Sequence, residues 1–314
     1  MYEASRIAVR RVGVMGEEFE RISMRAHAKL NLALCVGAPI DAPGTPAHGY
    51  HPICSYMHTI DLYDTIEIER AVLSGYDIRW AEPDGHTREV DWDIEHDLVV
   101  RIHRALITRV GSDLPCQIRV RKSIPAGGGL GGGSSDAASV LMGLNDIFAL
   151  GLDRSSLVDI AMSLGSDIAY FIDPVSPHPR PAIVSGFGET IERVETGHAG
   201  QEITLIFPSF GCATGAVYRA FDSIVEHANP SESIVRACAG ASELNQDLIV
   251  NDLYRPACEV QPAIGPLRDR IAEALGSGVH LSGSGSTLFV LGRVGAPLVH
   301  EVAPDCRVVH TRLC

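Results

Sequence analysis

From Ile22 the chain alternates. Ile22, Met24, Ala26, Ala28, Leu30, Leu32, Leu34 and Val36 take every second position, with Ser23, Arg25, His27, Lys29 and Asn31 between them. Successive side chains of a strand point to opposite faces, so this spacing predicts a long half-buried strand with Lys29 and Asn31 on one polar face. APIDAPGTPAHGYH follows, a turn-rich connection with three prolines and two glycines. Strands are expected at 53–62, 64–70 and 75–80, then a polar loop over 82–96. At HDLVVRIHRALITRV the period changes. Leu98, Ile102, Ala105 and Leu106 share a helical face, and Asp97 stands where a cap is needed.

CQIRVRKSIP then alternates as a strand and ends at Pro125. Ala137, Leu141, Leu144 and Phe148, spaced four, three and four apart, predict the next helix. Another starts at Ser155 or Ser156, buries Leu157, Ile160, Ala161 and Leu164, and stops at Gly165. DPVSPHPRPA, 173–182, holds four prolines and reads as a linker or excursion. EITLIFPSF opens a second strand-rich part. Helices are expected there at 214–227, 231–240 and 262–276, with two strands around the glycine turn of GVHLSGSGSTLFVLG. The pattern predicts an α+β chain: an extension over 1–21 with a short apolar piece from Ile7 to Val14, one lobe over 22–182 and another over 183–314.

Composition narrows the classes. The 314 residues are 46% hydrophobic and 21% charged, enough for one large domain or two modest ones. No run approaches the roughly 18 apolar residues of a membrane-spanning helix. The first 24 residues mix Arg10 and Arg11 with Glu17, Glu18 and Glu20, unlike a signal or transit peptide. The eight cysteines, at 35, 54, 116, 212, 238, 258, 306 and 314, form no C-x-x-C pair and read as reduced thiols of a cytoplasmic protein. The net charge of −13 argues against nucleic-acid binding. The expected partner is a small molecule, with no membrane and no nucleic acid; monomer and homodimer both stay open. An anionic ligand would need a local site that overcomes the global field.

One stretch offers such a site. In KSIPAGGGLGGGSSDAA, between a strand and a helix, Gly127, Gly128, Gly129, Gly131, Gly132 and Gly133 surround Leu130 and lead into Ser134 and Ser135. Bare backbone lets N–H groups converge on an anion, and the helix dipole adds about half a positive charge at its N-terminus. The serines can cap the helix, bind a phosphate oxygen or help hold Mg²⁺. Alternatively, the run is a tight structural turn. Two nucleotide motifs are excluded: no lysine follows the glycines as a P-loop demands, and the residues about 20 further on, GLDRSSL, read as a loop, not an acid-tipped second strand.

PAGGGLGGGSSDAA resembles the ATP-binding motif of the GHMP small-molecule kinases. AKLNLALCV, HGYHPICSYMHTIDLYDTIEI, LGSDIAYFI and NDL occur in order around it, from about Arg25 to Val290. Together they are similar to the branch of that family that phosphorylates the 2-hydroxyl of a cytidine diphosphate-linked polyol, a step of the non-mevalonate isoprenoid pathway. The resemblance implies a ribosomal-protein-S5-like N-terminal lobe, a ferredoxin-like C-terminal lobe, a site in the cleft between them, and ATP with Mg²⁺. It implies that Pro125 and Gly127 to Ser135 wrap the triphosphate, without direct protein ligation of the metal. Asp167 would accept the hydroxyl proton, and Lys29 would position that hydroxyl and stabilise charge. Asn31 would bind substrate hydroxyls or the diphosphate. Tyr50 and His51 would recognise cytosine, with Tyr218 on its other side. Gly283, Ser284 and Gly285 would support the phosphate loop.

Bland alternatives stand beside several of these. Apart from the resemblance, Asp167 reads as a solvated or capping loop acid, Lys29 as a solvated strand lysine, Tyr218 as a helix core aromatic and SGSGST as a hairpin turn. Lys122 either reaches the nucleotide or is a solvated strand end, and Asp136 could reach Mg²⁺ through water. His48, His51 and His58 lack the carboxylate or cysteine pattern of a metal site. The chain departs from the family pattern at His27, where a proline is usual, at His48 for aspartate, and in SDIAYF. Mevalonate-type or homoserine-type kinases, and a catalytically silent nucleotide binder of this fold, are the competing readings.

Overall fold

The structure is a computed structural model that describes residues 10–14, 17–44, 48–82, 84–176, 178–224 and 230–314. Its chain forms two units, each drawn from separated stretches. The first takes the residues up to Ala28, Leu62–Pro125 and Gly131–Pro179; the second takes Lys29–Asp61, Ala126–Leu130 and Arg180–Cys314.

Six strands run in the order β1-β2-β3-β6-β4-β5. They are β1 (Arg10–Val14), β2 (Glu17–Val36), β3 (Ile53–Arg70), β4 (Gly75–Ala81), β5 (Thr87–Glu89) and β6 (Cys116–Lys122). The first unit holds β1, β4, β5 and β6 whole, with residues 17–28 of β2 and 62–70 of β3. β1 and β2 pair antiparallel, so residues 10–14 and 17–21 of the expected extension form a hairpin; residues 1–9 and 15–16 lie outside the described residues. β3 pairs antiparallel and β4 parallel with β6. The two strands expected over 53–70 are one. The expected polar loop at 82–96 contains β5 and a short 3₁₀ turn at Ile94–His96.

The helices of this unit are α1 (Leu98–Val110), α2 (Gly132–Ile147), α3 (Arg154–Met162) and α4 (Ile168–Phe171). Asp97 caps α1 as expected, accepting from the Val99 amide. α3 starts one residue early because Asp153, not a serine, caps it. A Cβ on Gly143 of α2 would lie 2.8 Å from Ile22 Cδ1 and 2.9 Å from Ile68 Cδ1. The missing side chain lets the later half of this helix settle directly on the strands.

The second unit contains β7 (Ala182–Gly186), β8 (Thr190–Arg193), β9 (Glu202–Phe207), α5 (Thr214–Ile224), α6 (Glu232–Ala239), β10 (Val250–Asn251), α7 (Tyr254–Val260), α8 (Ile264–Leu275), β11 (His280–Leu281), β12 (Leu288–Leu291), α9 (Ala296–Val302) and β13 (Arg307–Arg312). β7 pairs with the start of β3 and with β8; β10 runs parallel to the end of β2. β11-β12-β9-β13 form an antiparallel sheet. With helices between β9 and β11 and between β12 and β13, this is the βαββαβ ferredoxin-like arrangement. Its core joins Leu34, Val36, Ile206, Val217, Phe221, Ile271, Leu288 and Val290.

The alternation that opened the sequence is real only at first. Ser23 and Arg25 are exposed, but every residue from Ala26 to Val36 is buried. Lys29 and Asn31 are 3% and 2% exposed, so the expected polar face is an interior polar row.

Candidate active site

The glycine run alternates in hand. Gly127, Gly129 and Gly131 have φ of 67°, 74° and 70°, a region costly for any residue with a Cβ. Gly131 is the N-cap of α2, so Gly132 and Gly133 already lie in the helix. The serines therefore do not cap it, as the sequence had allowed. Ser134 and Ser135 sit in its first turn, Ser134 half-buried and Ser135 buried, and the Ser135 amide donates to the Gly131 carbonyl at 2.8 Å. Leu130 interrupts the glycines as an anchor: its side chain is buried, and its carbonyl accepts from the Lys29 amide at 2.9 Å.

Lys29 holds the loop through its side chain as well. Its Nζ donates to the Gly129 carbonyl at 3.0 Å and to Asn31 Oδ1 at 2.5 Å. Asn31 Nδ2 donates to Ser55 Oγ at 2.8 Å, and Ser55 Oγ donates to the Ala33 carbonyl at 2.8 Å. A buried ammonium is thereby set on a rigid polar row beside the glycine loop. Buried charges persist only when hydrogen-bonded in this way.

The third motif packs on that loop. Ser282 Oγ donates to the Gly129 carbonyl at 3.0 Å, and the Thr287 amide donates to the Gly128 carbonyl at 3.3 Å. Gly283 and Gly285 have positive φ, and Ser284 Oγ lies 2.9 Å from Thr214 Oγ1. NDL braces the turn from behind: Asn251 Nδ2 donates to the carbonyls of Leu281 and Gly283, both at 2.8 Å, while its Oδ1 accepts from the Leu253 amide. Asp252 Oδ2 accepts from the Val36 amide at 2.9 Å, and burial raises its pKa.

Lys122 neither reaches out as a nucleotide ligand nor stands as a solvated strand end. It is buried, with Nζ 2.5 Å from Asp64 Oδ2 and 2.5 Å from Asp136 Oδ2. Asp64 Oδ1 also accepts from the Ser123 and Ile124 amides, pinning the backbone that enters the run. Burial opposes the charge on Lys122, but Asp136 and then Asp64 more than offset it, so its pKa rises. Asp136 is pushed well above the usual carboxylate range, first by burial and then by Asp64, against the pull of Lys122. Asp64 escaped the sequence reading, although a signal existed. It and Lys122 stand on the inward phases of their strands, in line with Ile60, Ile66 and Ile68 and with Cys116, Ile118 and Val120.

His51 lies against α5. Its Nε2 is 2.7 Å from Asp222 Oδ1, and its ring centroid is 5.1 Å from that of Tyr218. So short a separation leaves no room for a base between those two rings. Tyr50 is exposed, with its ring edge-on to Phe187 at 6.3 Å. His48 is exposed, and His58 is fully buried, its Nδ1 bonded to the Thr59 carbonyl. Asp167 is half-buried at the N-cap of the single-turn α4, and its side chain makes no capping bond there. Pro125 is half-buried ahead of the run. Among the described residues the cysteines form no disulfide, and no helix is long and apolar enough to cross a membrane.

Residues 97–173 match the family model described as the GHMP kinases N terminal domain. A 4-diphosphocytidyl-2-C-methyl-D-erythritol kinase of Syntrophotalea carbinolica is 34% identical over 267 residues, 85% of this chain and 88% of that protein. The chain belongs to this kinase family. One from Polynucleobacter asymbioticus is 32% identical over 277 residues, covering 87% and 84%. A crystal structure of 4-(cytidine 5'-diphospho)-2C-methyl-D-erythritol kinase superposes with a TM-score of 0.68 at 29% identity, over 93% of this chain and 98% of that one. A mevalonate kinase structure, at 14% identity and a TM-score of 0.58, shares the fold alone. The protein is therefore an enzyme, a small-molecule phosphotransferase with the expected α+β GHMP fold.

Proposed function

We propose that this protein transfers the γ-phosphoryl group of ATP to the 2-hydroxyl of 4-diphosphocytidyl-2-C-methyl-D-erythritol, giving ADP and the 2-phosphate. The observation that carries the reading is kinship with kinases of that name across 85% of the chain and 88% of the relative. Mevalonate and homoserine kinases share only the fold, at 14% identity.

Phosphoryl transfer asks a protein mainly to position its reactants and to offset charge. Pro125 and the amides of Gly127 to Ser135 cradle the triphosphate, aided by the α2 dipole. Mg²⁺, carried by ATP, would supply charge neutralisation on the triphosphate. The donor set suits an ion carried by its nucleotide: Lys122 holds Asp136 and Asp64, and Ser134 offers a half-buried hydroxyl in the first helical turn. Ser134 is the side chain that would touch the ion. Asp167 takes the proton of the acceptor hydroxyl. Lys29, fixed by the Gly129 carbonyl and Asn31, offsets charge on the acceptor oxygen. Asn31 meets the polyol hydroxyls or the diphosphate, Tyr50 and His51 recognise the base, Tyr218 packs against the His51 ring, and Gly283 to Gly285 keep the loop in shape. Phosphorus NMR of a complete reaction tests this: a new phosphomonoester on the polyol supports it, and phosphate release alone refutes it.

A further inference from the structure

One helix fixes the imidazole of His51 on several sides. Asp222 Oδ1 lies 2.7 Å from its Nε2, the Tyr218 ring sits at 5.1 Å and 44°, and the Phe221 ring stands edge-on at 5.6 Å and 85°. Tyr218, Phe221 and Asp222, spaced three and four apart, form one face of α5. The His51 side chain is 4% exposed. A carboxylate only accepts, so Nε2 carries the hydrogen and donates. In the neutral ring the lone pair is then on Nδ1. The contact with Asp222 engages Nε2 and leaves Nδ1 on the other side of the ring.

We infer that Asp222 is a positioning residue for base selection: by holding His51 with its hydrogen on Nε2, it leaves Nδ1 to accept from the 4-amino group of cytosine and to reject uracil. The inference rests on the proposed function, which places the cytosine beside His51. Cytosine presents two acceptors on its pairing edge and one donor, the exocyclic amine, so a lone pair has one possible partner there. Uracil in the same register sets a carbonyl oxygen against that lone pair. A buried polar atom facing an acceptor costs its full desolvation, and so a hydrogen-bonding site rejects the mismatched analogue strongly. Without Asp222 the ring is free to exchange its hydrogen to Nδ1, and the discrimination collapses.

The test measures kcat/KM for the cytidine and the uridine diphosphate-linked polyol on wild-type enzyme and on Asp222→Asn, Asp222→Ala and Asp222→Glu. Each ratio compares two substrates on one preparation, so any loss of folded protein cancels. The wild type should prefer cytidine by about 100-fold or more. In the Asn and Ala variants the ratio should fall at least about tenfold, through KM for the cytidine substrate at unchanged KM for ATP, and Glu should restore part of it. Ratios within twofold of wild type in both the Asn and Ala variants overturn the inference, as does a wild type indifferent to the base. A wild type inactive on the cytidine compound removes the proposed function instead, a separate and recognisable failure.

Discussion

Gly129 and Ser282 stand so close that a Cβ on the glycine would overlap the serine carbonyl oxygen and lie 3.0 Å from its carbonyl carbon. The glycine run and the third motif, 153 residues apart in sequence, are thus in backbone contact. Gly129→Ala should displace the loop and raise KM for ATP, with kcat/KM down on the order of 100-fold. Gly127 makes the control, since a Cβ there meets nothing within 4 Å. Its alanine variant bears only left-handed strain, about 1–2 kcal/mol. Steady-state kinetics with a melting temperature for each variant separates the two; equal effects contradict this packing.

The buried set Asp64, Lys122 and Asp136 predicts a pH signature. The folded pKa of Asp136 lies above its unfolded value, so its contribution is present below about pH 4 and lost as pH rises through the raised value. Asp136→Asn should gain stability relative to wild type between pH 5 and pH 8, by denaturant unfolding. Lys122→Met leaves two buried acids unpaired and should cost about 3–5 kcal/mol at neutral pH. A constant difference between Asp136→Asn and wild type across that range contradicts the raised pKa.

His280 titrates the other way. Burial, then Arg268, lowers its pKa to about 4. The unfolded ring takes its proton near pH 6.5, so stability falls as pH drops from there toward 4. His280→Leu should flatten that slope, worth on the order of 2–3 kcal/mol at the acid end. Unfolding curves at pH 7 and 4.5 would show it, and parallel losses in both proteins would deny it.

Asp167 and Lys29 carry the proposed chemistry. Asp167→Asn should cut kcat by orders of magnitude while nucleotide binding stays within a few-fold. Lys29→Met should lower kcat and also loosen the loop, because it removes the bonds to Gly129 and Asn31. Calorimetric nucleotide titration beside turnover distinguishes them. Unchanged turnover in Asp167→Asn would remove it from the mechanism.

What the sequence made legible was local. The glycine run, the helix after it and the Asp97 cap follow from φ preferences and short-range hydrogen bonds, and the fold class followed from motif order. Burial was less legible. The β2 pattern looked half-exposed, because alternation cannot tell solvent from a polar interior row such as Lys29, Asn31 and Ser55. Long-range partners were least legible. Asp64 and Lys122 are 58 residues apart and His51 and Asp222 are 171 apart; only their placement on the inward phase or beside an aromatic hinted at a role. The capping role of Gly131 was also missed, since serine is the commoner cap and only the observed φ of 70° separates them.

The central claim is the acceptor. A coupled ADP-release assay with equal concentrations of 4-diphosphocytidyl-2-C-methyl-D-erythritol, mevalonate and homoserine tests it most directly. The account predicts ADP release with the cytidyl compound that exceeds either other acceptor by at least about 100-fold in kcat/KM. Faster release with mevalonate or homoserine, or release independent of any acceptor, would contradict it.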